Sequence, residues 1–151
     1  LRSFAGLDTS HVGSTRVVHA RPGVDSGLVG SAAAKQHTLG GLASISWEIS
    51  QEIVAVTSVG ASVGTSVGTS VGVARRVLGV NITVPTGCTG SLVLPTQAAS
   101  TDVTVLESGR PVWHGGRFVD GGALGVVSGA MVANGIRLHT EAGAYAFVAK
   151  G

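Results

Sequence analysis

The sequence predicts an all-β domain, an antiparallel β-sandwich of jelly-roll type. Three observations carry that prediction. Glycine supplies 24 of 151 residues, and the glycines punctuate short runs rich in Val, Ile, Thr and Leu. Most of those runs alternate apolar and polar residues, the pattern of a half-buried strand. Beyond the first few residues no helical period of apolar side chains is present.

The elements follow in chain order. Leu1-Arg2-Ser3-Phe4-Ala5-Gly6-Leu7 reads as the last turns of an amphipathic helix, with Leu1, Phe4 and Ala5 on one face and Gly6 as the stop. So short a helix is not stable alone. Residues 1–7 are therefore expected to be the tail of an upstream domain, and residues 8–151 the sandwich. Strands are expected over residues 16–21, 28–36, 42–49, 79–84, 91–94, 102–107, 136–140 and 144–149. Ser44 and Ser46 share one face of their strand, which turns Trp47 toward the core rather than toward a ligand. Ile82 and Val84 likewise face together. Four tandem tetrads of Ser-Val-Gly type fill residues 58–73. A slip of four residues would preserve their faces, so their register is weakly specified. They read as a low-complexity insertion with the composition of a strand.

Charge and composition exclude several roles. Ten basic residues oppose eight acidic ones, and Arg75-Arg76 is the longest basic run. With few aromatic residues beside them, these do not form a nucleic-acid footprint. No window approaches 18 uninterrupted apolar residues, so no membrane-spanning helix is expected. Cys88 is the only cysteine, which rules out an internal disulfide and a thiolate zinc site. A single cysteine suits a cytoplasmic or an extracellular protein equally.

No motif for catalysis emerges. The carboxylates Asp8, Asp25, Glu48, Glu52, Asp102, Glu107, Asp120 and Glu141 show no spacing that pairs an acid with a base across a sugar. His11, His19, His37, His114 and His139 form no H-x-H or H-x-x-x-H arrangement, so no metal site is expected. There is no G-x-S-x-G elbow and no Gly-rich phosphate loop at a strand-to-helix junction, so no cofactor is expected either. No catalytic residue is assigned. Pro111-Val112-Trp113-His114-Gly115-Gly116 reads as a turn whose Trp113, with His114 beside it, suits stacking on a sugar ring. Asn81-Ile82-Thr83 has the form of a glycosylation acceptor but falls inside an expected strand.

Several stretches together resemble one family. Asn81-Ile82-Thr83-Val84-Pro85 through Ser91-Leu92-Val93-Leu94-Pro95 is similar to a stretch near the end of bacterial and fungal α-L-rhamnosidases. Val105-Leu106-Glu107-Ser108-Gly109-Arg110-Pro111-Val112-Trp113 resembles the strand and turn that follow it there, and Glu141-Ala142-Gly143-Ala144-Tyr145-Ala146-Phe147 resembles the terminal motif. Phe4-Ala5-Gly6-Leu7-Asp8 looks like the exit from the last helix of the catalytic barrel. Arg16-Val17-Val18-His19-Ala20-Arg21-Pro22 and Gly41-Leu42-Ala43-Ser44-Ile45-Ser46-Trp47 look like strands after it. The motifs run in the same order, apart from the Ser-Val-Gly segment and residues 119–135.

The resemblance implies a C-terminal β-sandwich packed against an α-helical barrel. In the family the barrel holds both the acid and the base of an inverting glycosidase, and neither maps onto this chain. It also implies a turn facing the sugar, with an aromatic or His side chain just before a glycine. The matching turn is His37-Thr38-Leu39-Gly40-Gly41, where Leu39 or Gly40 takes that place and His37 stands nearby. His37, Trp113 and His114 are thus the candidate substrate-binding residues. The expected role is an accessory domain partnered by an upstream catalytic helical domain. The alternatives are a free-standing subunit bound to another protein, docked through Leu1, Phe4 and Leu7, and a lectin-like binder of rhamnose-containing glycans.

Overall fold

A computed structural model describes residues 6–12, 15–22, 31–56, 71–95, 103–133 and 135–150. None of these is helical. The strands are β1 (Leu7–Val12), β2 (Thr15–Ala20), β3 (Ser31–Thr38), β4 (Gly41–Val56), β5 (Val71–Val84) and β6 (Cys88–Leu94). They continue as β7 (Thr104–Glu107), β8 (Arg110–His114), β9 (Arg117–Phe118), β10 (Val126–Val132), β11 (Gly135–Thr140) and β12 (Gly143–Lys150).

Two sheets form, as the alternation predicts. One has five strands in the order β1-β2-β6-β11-β10, and the other seven in the order β3-β4-β5-β12-β7-β8-β9. Among the described residues every strand pair is antiparallel except β2 with β6, which runs parallel from Arg16↔Cys88 to Ala20↔Leu92. The period-two pattern assigns the faces. Ala43, Ile45 and Trp47 of β4 are buried, and so are Val80, Ile82 and Val84 of β5. They meet Val18, Leu92, Leu94, Ile136 and Leu138 from the opposite sheet in one apolar cluster. Each fully buried side chain of this size contributes about 1.5–3 kcal/mol.

The expected strands recur with different lengths. β4 and β5 are 16 and 14 residues long. Only Gly41–Glu48 of β4 pairs with β3, and only Val77–Val84 of β5 pairs with β12. Beyond them, Gln51–Val56 and Val71–Arg76 pair with each other and, among the described residues, with no other strand, as a two-stranded ribbon. The end of the Ser-Val-Gly segment, Val71 to Val73, belongs to that ribbon, whereas residues 57–70 lie outside the described residues. So do residues 1–5 of the expected helical tail and residues 28–30 and 102 of two expected strands. Gly6 is in a turn and Leu7 opens β1.

Four strands were not anticipated: β1, β8, β9 and β10. Residues 111–114, expected to belong to a turn over residues 111–116, extend as part of β8, because the reversal falls earlier, at Ser108-Gly109. Both residues have positive φ, 47° and 82°, the requirement of a tight two-residue hairpin turn.

Candidate functional site

The structure gives His37, Trp113 and His114 three different settings. Trp113 lies on the inner face of β8, opposite Val105, and is only 2% exposed. Its Nε1 is buried with no hydrogen-bond partner. The ring is a core side chain whose face is not open to solvent. His114 is exposed, and its Nδ1 lies 3.1 Å from the Thr104 hydroxyl on the neighbouring strand. His37 is exposed on β3, paired with Leu42. Four strands separate β3 from β8. At about 4.8 Å per strand, the two histidines stand roughly 24 Å apart across the sheet. The structure does not bring the three residues together.

The turn after His37 is built locally. The Thr38 hydroxyl donates to the Gly41 carbonyl at 2.8 Å and accepts from Gly40 N–H at 3.2 Å. This leaves Leu39 at the tip, 97% exposed. Leu124, in the loop before β10, is 95% exposed. Both loops lie at the same end of the sandwich. β4 begins beside the end of β5, where Val84 pairs with Gly143, and the Glu141 amide donates to the Gly125 carbonyl at 2.8 Å.

The outer face of the seven-stranded sheet carries an open groove of about 410 Å³. Register explains it. Ser31, Glu48 and Gly79 form one row across β3, β4 and β5, and Ala33, Ser46 and Asn81 form the next. Small side chains leave the space, while Glu48 and Asn81 supply a carboxylate and an amide at its floor. Sequence reading took these as ordinary strand residues. Only the register, which no single strand reveals, assembles them.

A second group lies on the five-stranded sheet. The Ser10 hydroxyl and His19 Nε2 are 2.5 Å apart, and Asp8 pairs across from His19. Asp8 is engaged locally, accepting from the Thr9 amide at 2.8 Å. Among the described residues, no cluster of three or more His, Cys, Asp or Glu is placed to hold a metal ion.

Among the described residues, Glu48 is the one carboxylate that lines the groove. Glu48 points outward from β4, whereas Glu107 is on the core side of β7 and 7% exposed. The Ser108 hydroxyl donates to Glu107 Oε1 at 2.6 Å, and the Ala146 amide donates to the same oxygen at 3.4 Å. Burial raises the Tyr145 hydroxyl above its ordinary pKa of 10.0, and the negative charges of Glu141 and Glu107 push it the same way. Its hydroxyl donates to the Glu141 carbonyl at 2.9 Å.

A pH dependence follows from Tyr145. The unfolded tyrosine ionises near its ordinary value and the folded one above it. Its contribution to stability is therefore complete below pH 10 and is lost as pH rises through the folded value. Tyr145 is the only tyrosine, so phenolate absorbance reads this group alone. The folded titration should lie above the titration in denaturant, and Tyr145→Phe should remove that alkaline loss. Coincident titrations would contradict the placement.

No protein-family model matches the sequence, and no curated protein matches it. Among solved structures, the chain is similar to an α-L-rhamnosidase from Dictyoglumus thermophilum, with a TM-score of 0.62 and 16% identity. The match covers 99% of this chain and 13% of that one. At this identity the likeness is one of fold. Among the described residues, no helix is long and apolar enough to cross a membrane.

Proposed function

We propose that this chain is a non-catalytic β-sandwich domain of a larger, α-L-rhamnosidase-like glycoside hydrolase, packed on the part of that enzyme that holds the acid and base. One observation carries the reading: nearly the whole chain superposes on a small part of a rhamnosidase, 99% against 13%. The collinear sequence motifs agree with it. Leu39 and Leu124, almost fully exposed at one end, supply the apolar contact that a neighbouring domain would cover. The chain alone then leaves an aryl rhamnoside intact. An antibody raised against it should detect, in extracts of the source cells, a polypeptide several times longer than 151 residues. Detection of a free species of this length, or hydrolysis abolished by replacing one carboxylate, would overturn the proposal.

The groove over Ser31, Ser46, Glu48 and Asn81 favours a second reading, a lectin-like sugar binder. Hydroxyl, carboxylate and amide groups on a recessed face are what sugar hydroxyls need. An extended glycan would be required to reach His37 or His114 as well. Titration with rhamnose and rhamnosides separates the readings. Heat that disappears in Glu48→Gln supports the binder, and no heat at millimolar ligand removes it.

A further inference from the structure

We propose that Asn81 is an N-glycosylation site, and that the glycan it carries stands in the groove on the outer face of the seven-stranded sheet. The motif Asn81-Ile82-Thr83 is complete: an asparagine, then a residue other than proline, then a hydroxyl. Asn134, the other asparagine of the chain, is followed by Gly135-Ile136 and lacks the hydroxyl. Such acceptors belong on the surface, usually in loops, and register gives this strand the same access. Period two sends Asn81 and Thr83 to one side of β5, while Ile82 between them is buried. Asn81 is exposed and Thr83 half-buried. Asn81 pairs with Ser46 of β4 on one side and with Ala146 of β12 on the other. Gly79 and Thr83 are its same-face neighbours along β5. All four are small, so none of them reaches over the amide. The groove there, about 410 Å³, falls within the roughly 300–1,000 Å³ of small-ligand sites and has room for the first sugars of an attached chain. Ser31, Ser46 and Glu48 line it and offer hydroxyl and carboxylate groups to sugar hydroxyls.

The reaction is a group transfer from a glycan held on a lipid pyrophosphate. Nδ2 of Asn81 forms a bond to the anomeric carbon, and the bond from that carbon to the pyrophosphate oxygen breaks. The lipid pyrophosphate leaves with the electron pair, and the amide nitrogen gives up one proton. Topology gives the transfer its opportunity. In the finished sheet β5 is hydrogen-bonded on both sides, to β4 and to β12. During synthesis β12 is the last described strand to be made, so the β12-facing edge of β5 stays open while residues 85–142 are added. An extended strand with an open edge is a form in which another protein can grasp a backbone. Once β12 closes the sheet, the glycan projects from the solvent side and displaces no buried group. The proposal is independent of the reading as a domain of a larger enzyme. It is an alternative to the sugar-binding reading, because an attached glycan fills the groove that a free sugar would need.

Mass spectrometry of the protein isolated from its source cells, as a free chain or within a longer polypeptide, is the test. Trypsin cuts after Arg76 and Arg117 and leaves residues 77–117 as one peptide, since Arg110 precedes Pro111. The expected result is a peptide heavier than its sequence by the mass of a glycan, with the excess on Asn81. Asn81→Gln, made in the same cells, should return the peptide to its sequence mass. Thr83→Ala should do the same, because it keeps the amide but removes the hydroxyl. Thr83→Ser should retain the glycan and serves if the alanine variant misfolds. Asn81→Gln should leave the circular dichroism spectrum unchanged, because the side chain faces solvent. An unmodified peptide from the native protein, or a mass excess that survives Thr83→Ala, would overturn the proposal.

Discussion

Phe147→Ala should lower the unfolding free energy by about 3–5 kcal/mol, the usual cost of emptying a large aromatic site in a core. Phe147 is 1% exposed on β12, the central strand of the seven-stranded sheet, and its ring stacks on Tyr145 at a centroid distance of 5.9 Å. It pairs in register with Val80 on one side and Glu107 on the other. Truncation leaves a cavity among strands that already hydrogen-bond on both sides, so neighbours cannot close in without breaking ladders. Domains have total stabilities of about 5–15 kcal/mol, so the variant should sit near the edge of folding. Chemical denaturation measures the effect, with Leu39→Ser as reference. That exposed position should change stability by no more than about 0.5 kcal/mol. Comparable losses in the two variants would contradict the core described here.

Gly135→Ala should be damaging for a different reason, with a cost on the order of 3 kcal/mol or more. Gly135 opens β11 with φ of 144°, and a Cβ there would overlap the backbone carbonyl oxygen of Leu94 on the paired strand β6. No rotamer relieves a clash with backbone, so the β6–β11 ladder itself must shift. Gly87 separates this effect from conformational preference. Its φ is 80°, and a Cβ there meets nothing within 4 Å, so Gly87→Ala should cost only about 1–2 kcal/mol, the penalty of a left-handed alanine. Thermal unfolding of the two variants should rank them in that order.

The sandwich was legible because both of its faces leave a signature. Alternation in Leu42–Trp47 and Asn81–Val84 named the buried residues correctly, Ile45, Trp47, Ile82 and Val84 among them. β10 escaped because neither face is consistently buried: its burial runs buried-exposed-exposed-intermediate-exposed-exposed-intermediate. β8 escaped because Gly115-Gly116 and Pro111 look like turn residues. The preceding reversal at Ser108-Gly109 is the one that sets the hairpin.

The site was less legible than the fold, for a physical reason. Trp113 has the composition of a ring platform, but alternation from Val112 does not apply across the β7–β8 irregularity, and both residues are buried. The groove over Glu48 and Asn81 depends on three strands lying in register. Their residues are 31–48 and 79–81, too far apart for any local motif to join them.

The parallel pairing of β2 with β6 bears on the order in which the sheet can form. β2 finds its neighbour β6 only after residue 88 exists, with the whole of β3, β4 and β5 intervening. During synthesis the β1–β2 hairpin therefore waits, with an open side, while the β3–β4–β5 meander forms from contacts close in sequence. Closing so long a loop is slow compared with making a hairpin. β6 is complete at residue 94, before β10 and β11 exist, so the five-stranded sheet should grow from β1–β2–β6 and be closed last by the β10–β11 hairpin.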